Sequence, residues 1–405
     1  DFDISIEEIK YVSQRSKAIN WIFCDANFGI LKRDVDIAKK IKESNTKFGY
    51  PKKCHMWLSK NTNDRNIEIA DILGDMIVPV MAVQSLDQEV LKNIKRSNIS
   101  TDTYTIYQQK FHKIGHKTYS DLIIPLPGET AESHYEGLKK LFDLDVDIIT
   151  NHNMRLLPGA EINSIENRHK YGFKTKYRLI HGDHGIYKTP ANEELRIIEY
   201  EESLRETNSM KENDIFKLRK VHFLIDVFWN TGVYKMILSL AKVFHINPLT
   251  IIKQFLNNKR LNLLDKESRT KINHFFKMFD KESKEEWFDS EDEIRKYFEN
   301  KDNFNKILQH KFEKLNIKFS IILLENFKKY FDNAMLKFVS NTLGREDSLI
   351  LYYSNINFRL FPAINDNCIK DISLPTNLFE INPENLNSFR LNNNHKKYSL
   401  FESEK

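Results

Sequence analysis

Between residues 19 and 159, short apolar runs alternate with amphipathic segments, and this alternation limits the fold more than any other feature of the chain. "INWIFC" (19–24), "KKCHMWL" (52–58), "IVPVMAVQS" (77–85), "KTYSDLIIP" (117–125) and "VDIITNHNMRLLPG" (146–159) read as strands. Helical patterns lie between them at 33–47, 64–75, 87–96, 100–115 and 130–145, and another at 4–16 precedes them. Strands separated by helices pair in parallel through right-handed crossovers. The expected class is therefore α/β, either a doubly wound sheet or a (β/α) barrel. Both architectures bind ligands at the carboxyl ends of their strands.

Polar and conformationally special residues collect at those ends. They are Asp25 with Asn27, Ser59 with Lys60 and Asn61, Gln84 with Ser85, Pro127 to Glu129, and Asn151, Asn153 and Arg155. The chain has only 12 glycines and 10 prolines, yet "DLIIPLPGET" (121–130) ends a strand in Pro-Leu-Pro-Gly-Glu-Thr. Gln84 and Ser85 offer uncharged donors and acceptors suited to a ribose or an amino-acid group. Asp25 can accept from an ammonium or a hydroxyl group. Pro127 and Gly128 leave bare backbone for a flat ligand, and Glu129 follows at the helix start. The set suits a polar, nucleoside-like ligand, and no general acid/base pair stands out.

Other chemistries have little support. The net charge is +5, from 62 basic and 57 acidic residues, and no run of five or more basic residues occurs, so nucleic acid is not an expected partner. No apolar stretch reaches the roughly 18 residues of a membrane span. Cys24, Cys54 and Cys368 are scattered and form no CxxC pair, which points to a reducing cytoplasm. Cys24, just before Asp25 at a strand end, could be reactive, but a small buried thiol fits better. Phosphate loops, dinucleotide fingerprints, GxSxG and HExxH are missing. "HGDHG" (181–185) could ligate a metal through His181, Asp183 and His184, although a substrate-contacting or simply hydrogen-bonded loop fits better. His112 and His116 flank Gly115 near a helix end and are poorly placed to share an ion. Beyond the strands, 166–191 reads as a loop-rich extension and 192–345 as a helical domain. Residues 346–405 read as a small α+β segment with strands "SLILYY" and "NFRLF" and a polar tail.

Four pieces, in order, resemble the barrel of radical S-adenosylmethionine (radical SAM) enzymes. "FCDANFGI" (23–30) is similar to the family's second-strand segment, an apolar run ending in Asp-x-x-Phe. "VQSLDQEVLKNIKR" (83–96) is similar to the fourth-strand motif, a polar pair followed by a helix ending in arginine. "DLIIPLPGET" resembles the fifth-strand motif, and "RLLPGAEI" (155–162) the Leu-Leu-Pro-Gly motif after the sixth. "YGFKTKYRLIHGDHGIY" (171–187) looks like the extension found in members with an amino-terminal cobalamin-binding domain. Pro125 stands where the family usually has glycine, and the CxxxCxxC triplet that holds the 4Fe-4S cluster is missing. The chain also opens at Asp1, without methionine, inside a helix-like pattern; this fits a carboxyl-terminal part that starts just after the cluster loop.

The resemblance implies a partial (β/α)6 barrel over 1–165 holding strands 2 to 6, followed by a mostly α-helical carboxyl-terminal region. It implies S-adenosylmethionine, a 4Fe-4S cluster whose ligands lie outside this chain, and cobalamin if the extension is diagnostic. Asp25 would lie near the methionyl end, and Gln84 and Ser85 near the ribose or carboxylate. Ile124, Pro125, Pro127 and Gly128 would border the adenine, and Asn153 and Arg155 would contact adenine or substrate. The implied reaction is reductive cleavage to a 5′-deoxyadenosyl radical that acts on a small molecule or biosynthetic intermediate. A flavodoxin or ferredoxin would supply the electron. This chain alone would be inactive. The competing reading is a cluster-free barrel that binds a nucleotide-like ligand or a partner protein without catalysis.

Overall fold

The computed structural model describes residues 2–59, 61–309 and 314–344, positions 350 and 354, and the strands Ile372–Pro375 and His395–Tyr398. Lys60 and the expected strands at 348–353 and 357–361 fall outside the described residues, apart from position 350. Two compact units are present: Asp1–Ile124 with Glu132–His152, and Pro125–Ala131 with Asn153–Lys405.

The chain begins α1 (Phe2–Arg15), β1 (Asn20–Ile22), α2 (Asp34–Phe48), β2 (Lys53–His55), α3 (Asp64–Leu73), α4 (Gln88–Asn93), α5 (Thr101–Lys113), β3 (Tyr119–Ile124), α6 (Ala131–Asp143) and β4 (Ile148–Asn153). The mixed α/β alternation is thus present. β1 and β2 pair in parallel, with Trp21 opposite Cys54, and β3 pairs with β4. Helix starts follow their caps: Asn63 and Asn66 form a capping box on α3, Asp87 caps α4, and Ser100 caps α5.

The expected third strand, 77–85, is not continuous. It meets β3 through two isolated parallel bridges, Val80–Tyr119 and Gln84–Leu122. Pro79 has no N–H to give to a ladder, and Gln84 departs from strand geometry with φ +58°. Burial on β3 alternates, with Ser120, Leu122 and Ile124 buried and Tyr119, Asp121 and Ile123 half-buried. A Cβ on Gly137 would meet Leu122 at 3.7 Å, so α6 covers the buried face. Leu138, Leu141 and Phe142 supply that helix's apolar stripe.

The second unit corrects two expectations. Residues 166–191 are not a loop, and the stretch from 192 does not begin as helix. After α7 (Ile165–Lys170), β5 (Lys174–Lys188) and β6 (Glu194–Glu206) form a long antiparallel hairpin. The charged composition of β6 reads as helical because Glu, Leu and Arg favour helices, but cross-strand pairing overrides that weak preference. Arg178 faces Glu201 in the register and pairs with it at 2.5 Å, and Lys174 pairs with Glu206 at 2.6 Å. The register passes from Leu179–Tyr200 to His184–Ile198, so that 180–183 bulge opposite Glu199 alone.

From α8 (Glu212–Ile225) the unit is helical: α9 (Lys235–Val243), α10 (Pro248–Ile252), α11 (Asn258–Leu261), α12 (Lys266–Glu285), α13 (Glu291–Glu299), α14 (Lys301–Leu308), α15 (Leu315–Ile322) and α16 (Lys328–Leu343). Its core is aromatic. Phe223 lies 4.9 Å from Phe279, Phe275 5.3 Å from Phe331, and Phe255 5.0 Å from Phe338, centroid to centroid. All six rings are fully buried, each adding roughly 1.5–3 kcal/mol through removal from water. Single π-helical turns, Asp226–Asn230 and Leu323–Phe327, continue α8 and α15. Strands β7 (Ile372–Pro375) and β8 (His395–Tyr398) pair antiparallel. No described helix is long and apolar enough to cross a membrane.

Candidate functional site

In the first unit the best-organised strand end is Gln84–Ser85. Gln84 N donates to Asp121 O at 2.9 Å and Ile123 N to Gln84 O at 2.9 Å, which anchors the segment to β3. Ser85 N then turns back to Val83 O at 2.7 Å and closes a three-residue turn about Gln84. A non-glycine residue with such a φ costs on the order of 1–3 kcal/mol and persists only where its surroundings hold it. Arg96 and Asn98 do so. Arg96 Nη2 donates to Ala82 O at 2.6 Å, and Asn98 Nδ2 donates to Val83 O and Ser85 O, each at 2.9 Å. Arg96 Nε is in turn bonded to Asn98 Oδ1 at 2.8 Å. Ser85 Oγ accepts from Asp87 N at 3.2 Å. The Gln84 amide is half-buried and makes no hydrogen bond to another described residue.

The half-buried face of β3 continues this polar surface. Thr150 Oγ1 donates to Tyr119 Oη at 2.6 Å, and Tyr119 Oη meets His152 Nε2 at 3.2 Å. His152 Nε2 lies 3.8 Å from Asp121 Oδ2, whereas Asp121 Oδ1 is buried without a partner. Burial raises the Asp121 pKa, against the opposing pull of His152 and Arg96. Tyr119, Asp121, His152 and Asn98 were not singled out by sequence reasoning. The period-two pattern of "YSDLII" could have assigned Tyr119 and Asp121 to one face.

Asp25 lies on an exposed loop where the β1–β2 ladder breaks and resumes: Phe23 N donates to His55 O at 2.9 Å, and Phe28 N to Trp57 O at 3.0 Å. Its carboxylate accepts from Asn27 N at 2.8 Å. The loop is held from below. Buried Asp34 accepts from Gly29 N (2.8 Å) and Leu31 N (3.0 Å), Arg65 Nε donates to Gly29 O (3.1 Å), and Asn66 Nδ2 donates to Phe28 O (3.2 Å). Ser59 Oγ donates to Asn66 Oδ1 at 2.8 Å, so that serine is committed to the scaffold. Cys24, expected to be buried, is exposed on the same loop; Cys54 is the buried thiol, its pKa pushed up by burial to about 12.

Ile124 ends β3 as a buried residue of the first unit. In the second unit, Glu129 N donates to Leu126 O at 3.0 Å, with Pro127 second and Gly128 third in the turn at φ +86°. That is the residue order of a type II turn, which only glycine adopts without strain at its third position. The Glu129 carboxylate, buried, accepts from Leu126 N at 3.0 Å and locks the turn from inside. Pro125 and Pro127 are buried, and Gly128 is exposed. "LPGA" (157–160) repeats the device, with Gly159 at φ +78° and Ala160 N donating to Leu157 O at 3.2 Å. Asn153 is half-buried at the end of β4. Arg155 bridges to Ser203 of β6 and pairs with buried Glu201.

The histidines are dispersed. His112 Nε2 meets Asp147 Oδ2 at 2.7 Å and His116 Nε2 meets Ala70 O at 2.9 Å, so the two face different partners. His181 belongs to the β5 bulge, and His184 resumes the ladder opposite Ile198, so neither lies in a loop. Among the described residues no group of three or more His, Cys, Asp or Glu side chains is placed to hold a metal ion. The described cysteines do not fit a 4Fe-4S cluster, because Cys24 and Cys54 lie singly on different segments.

The arrangement is a mixed α/β unit with a braced, polar strand end at Gln84–Ser85, joined in sequence to a hairpin and helical unit. Two curated relatives match it in sequence. It is 33% identical over 173 residues, 42% of this chain and 25% of the relative, to the cobalamin-dependent radical SAM methyltransferase TokK of Streptomyces tokunonensis. It is 31% identical over 212 residues, 51% of this chain and 30% of the relative, to the 2-(S-pantetheinyl)-carbapenam-3-carboxylate methyltransferase of Streptantibioticus cattleyicolor. Both relatives are thus methyltransferases, and TokK is a cobalamin-dependent radical SAM one; the chain spans between a quarter and a third of their length. No protein-family model matches. Structures of the radical SAM methyltransferase TsrM of Kitasatospora setae align at 14% identity and a TM-score of 0.35. One, with tryptophan substrate and the SAM analogue aza-SAM, covers 45% of this chain and 36% of that one; the other, with cobalamin and a [4Fe-4S] cluster, covers 43% and 34%. A score at that level is too low to carry a structural argument.

Proposed function

We propose that this chain is part of a cobalamin-dependent radical SAM methyltransferase acting on a small-molecule substrate. The observation that carries the reading is the sequence relationship to TokK, a protein of that description. The strand-end geometry supports it, because Gln84 keeps an unpartnered amide on a backbone strained into place by Arg96 and Asn98.

In this reading the strands of 1–165 form a partial (β/α)6 barrel. Gln84 and Ser85 hold the ribose or carboxylate of S-adenosylmethionine, and Asp25 faces its methionyl end. Ile124, Pro125, Pro127 and Gly128 border the adenine, while Asn153 contacts adenine or substrate. Arg155, paired with Glu201 through its Nε, contacts adenine or substrate as well. Bound S-adenosylmethionine supplies a methyl group and, on reductive cleavage, a 5′-deoxyadenosyl radical. The chain's residues orient the cofactor and keep water from it. The cluster ligands belong to sequence outside this chain, an electron donor such as flavodoxin or ferredoxin serves the full-length protein, and the chain by itself does not cleave S-adenosylmethionine. Reading the coding sequence upstream of Asp1 tests this: a CxxxCxxC triplet shortly before it supports the proposal, and its absence removes it.

A further inference from the structure

The distal half of the β5–β6 hairpin has two open edges and an uncovered apolar face. Beyond the bulge, His184 to Lys188 pair with Ile198 to Glu194, and among the described residues no third strand joins them. Residues directly opposite share a face, so Tyr187 with Leu195 and Gly185 with Ile197 lie together. The Tyr187 ring leans back over Gly185, where a Cβ would come 2.7 Å from it. Tyr187, Leu195 and Ile197 are 57%, 47% and 39% exposed. Glu194 and Arg196 occupy the opposite face and form an ion pair. A two-stranded ribbon with such a face is marginal in water and is a template for further pairing.

The backbone parity shows which groups are open. At the base of the hairpin, Leu156 N donates to Glu202 O at 2.9 Å and Leu204 N to Met154 O at 2.8 Å, so the even-numbered residues of β6 turn away from β5. At the far end, Thr189 N donates to Glu193 O at 2.9 Å, so the odd-numbered residues turn toward it. The alternation holds along the strand. Glu194, Arg196 and Ile198 therefore point their backbone N–H and C=O outward, and these groups meet no partner among the described residues.

A second copy of the chain fits this edge. Antiparallel pairing about a two-fold axis matches a strand with itself, and outward residues must meet outward residues. An axis at Leu195 sets Glu194 against Arg196 of the second copy, and Arg196 against Glu194 of that copy. Leu195 then meets its own counterpart at a position without backbone bonds, with Tyr187 and Ile197 of both copies on the same face. An axis at Glu194 or Arg196 would oppose like charges, which is unfavourable. An axis at Ile197 would set Arg196 against Ile198 and leave both charges without an opposite. The outer edge of β5 offers His184, Ile186 and Lys188, with no acid to complement the lysine.

We propose that this chain forms a homodimer through the outer edge of β6, giving a continuous sheet of order β5-β6-β6-β5 with its axis at Leu195. The proposal is independent of the radical reading, because the hairpin carries none of the strand-end residues assigned to S-adenosylmethionine.

Sedimentation equilibrium of the chain tests it, with the charge-reversal variants Glu194→Arg and Arg196→Glu. The parent is expected to be a dimer. Either variant alone should dissociate about 10-fold more readily, because both symmetry-related pairs become like-charged. Mixed in equal amounts, the two variants should dimerise again, since E194R then offers two cations to the two anions of R196E. A purely structural role for the Glu194–Arg196 pair within one chain would not be rescued by mixing. With Cys24 and Cys368 replaced by serine, Leu195→Cys should cross-link to itself on mild oxidation, because residues opposed at such a position approach to about 4.5 Å between Cα atoms. A monomeric parent overturns the proposal and leaves the hairpin to a different occupant. Failure of the mixed variants to dimerise, or a dimer indifferent to both substitutions, also overturns it. Absence of the cross-link overturns the axis at Leu195.

Discussion

Gly29 sets the shape of the Asp25 loop, and replacing it with alanine should unfold the first unit disproportionately. Its φ is +95°, and a Cβ there would sit well inside contact distance of Asn66 Nδ2. Left-handed backbone costs an alanine about 1–2 kcal/mol, offset by about 0.4–1 kcal/mol from the stiffer unfolded chain. The clash adds more, because Asn66 is fully buried and cannot move without loss. Its amide donates to Phe28 O at 3.2 Å and its carbonyl accepts from Ser59 Oγ at 2.8 Å. Two broken bonds at about 1 kcal/mol each bring the total to about 3 kcal/mol. Gly49 is the control: its φ is +76°, but nothing lies within 4 Å of an added Cβ, so Gly49→Ala should cost about 1 kcal/mol or less. Urea unfolding followed by circular dichroism compares the two. If G29A costs no more than G49A, the packing of Asn66 is not what shapes the loop.

The remaining predictions follow from specific contacts. Arg96→Gln should release the Gln84 turn, speeding amide exchange across residues 82–86 by about tenfold or more for each 1.4 kcal/mol lost. Because burial raises the Asp121 pKa, ionising Asp121 penalises the folded state. That penalty is absent below the ordinary carboxyl pKa and grows as pH rises through the folded value. Asp121→Asn should therefore gain stability over the parent toward neutral pH, and the gain should vanish below about pH 4 in unfolding midpoints taken across that range. Tyr234 is fully buried and donates to Asp332 at 2.7 Å, so Tyr234→Phe should destabilise the helical region by about 1.5–3 kcal/mol in denaturant titrations. Iodoacetamide should label exposed Cys24 in the native protein, and Cys54 only after unfolding, as read by peptide mass spectrometry.

The α/β alternation was legible because several helices carry both a cap and an apolar stripe. "SNISTDTY" starts α5 at Ser100, and "DQEVL" starts α4 at Asp87. The two Pro-Gly turns were legible too, since few other residues accept φ near +80°. The hairpin of β5 and β6 was hidden. Gly182 and the His-Asp bulge interrupt the period of β5, and the strand character of β6 depends on partners across the sheet, such as Arg178 for Glu201. Gln84 and Ser85 could be picked out as polar strand-end residues, but the backbone turn at Gln84 could not. It is imposed by Asn98 and Arg96, whose bonds to the carbonyls of 82, 83 and 85 leave no periodic trace.

The central claim is that these strand ends handle S-adenosylmethionine in a radical methyltransferase. The most direct test is consumption of S-adenosylmethionine, followed by mass spectrometry. The protein is expressed with the coding sequence preceding Asp1, reconstituted anaerobically with iron, sulfide and cobalamin, and supplied with a reductant. The account predicts consumption that falls sharply in Gln84→Ala. A reconstituted protein that binds the nucleoside but leaves S-adenosylmethionine intact would contradict it and leave a binding barrel without radical chemistry.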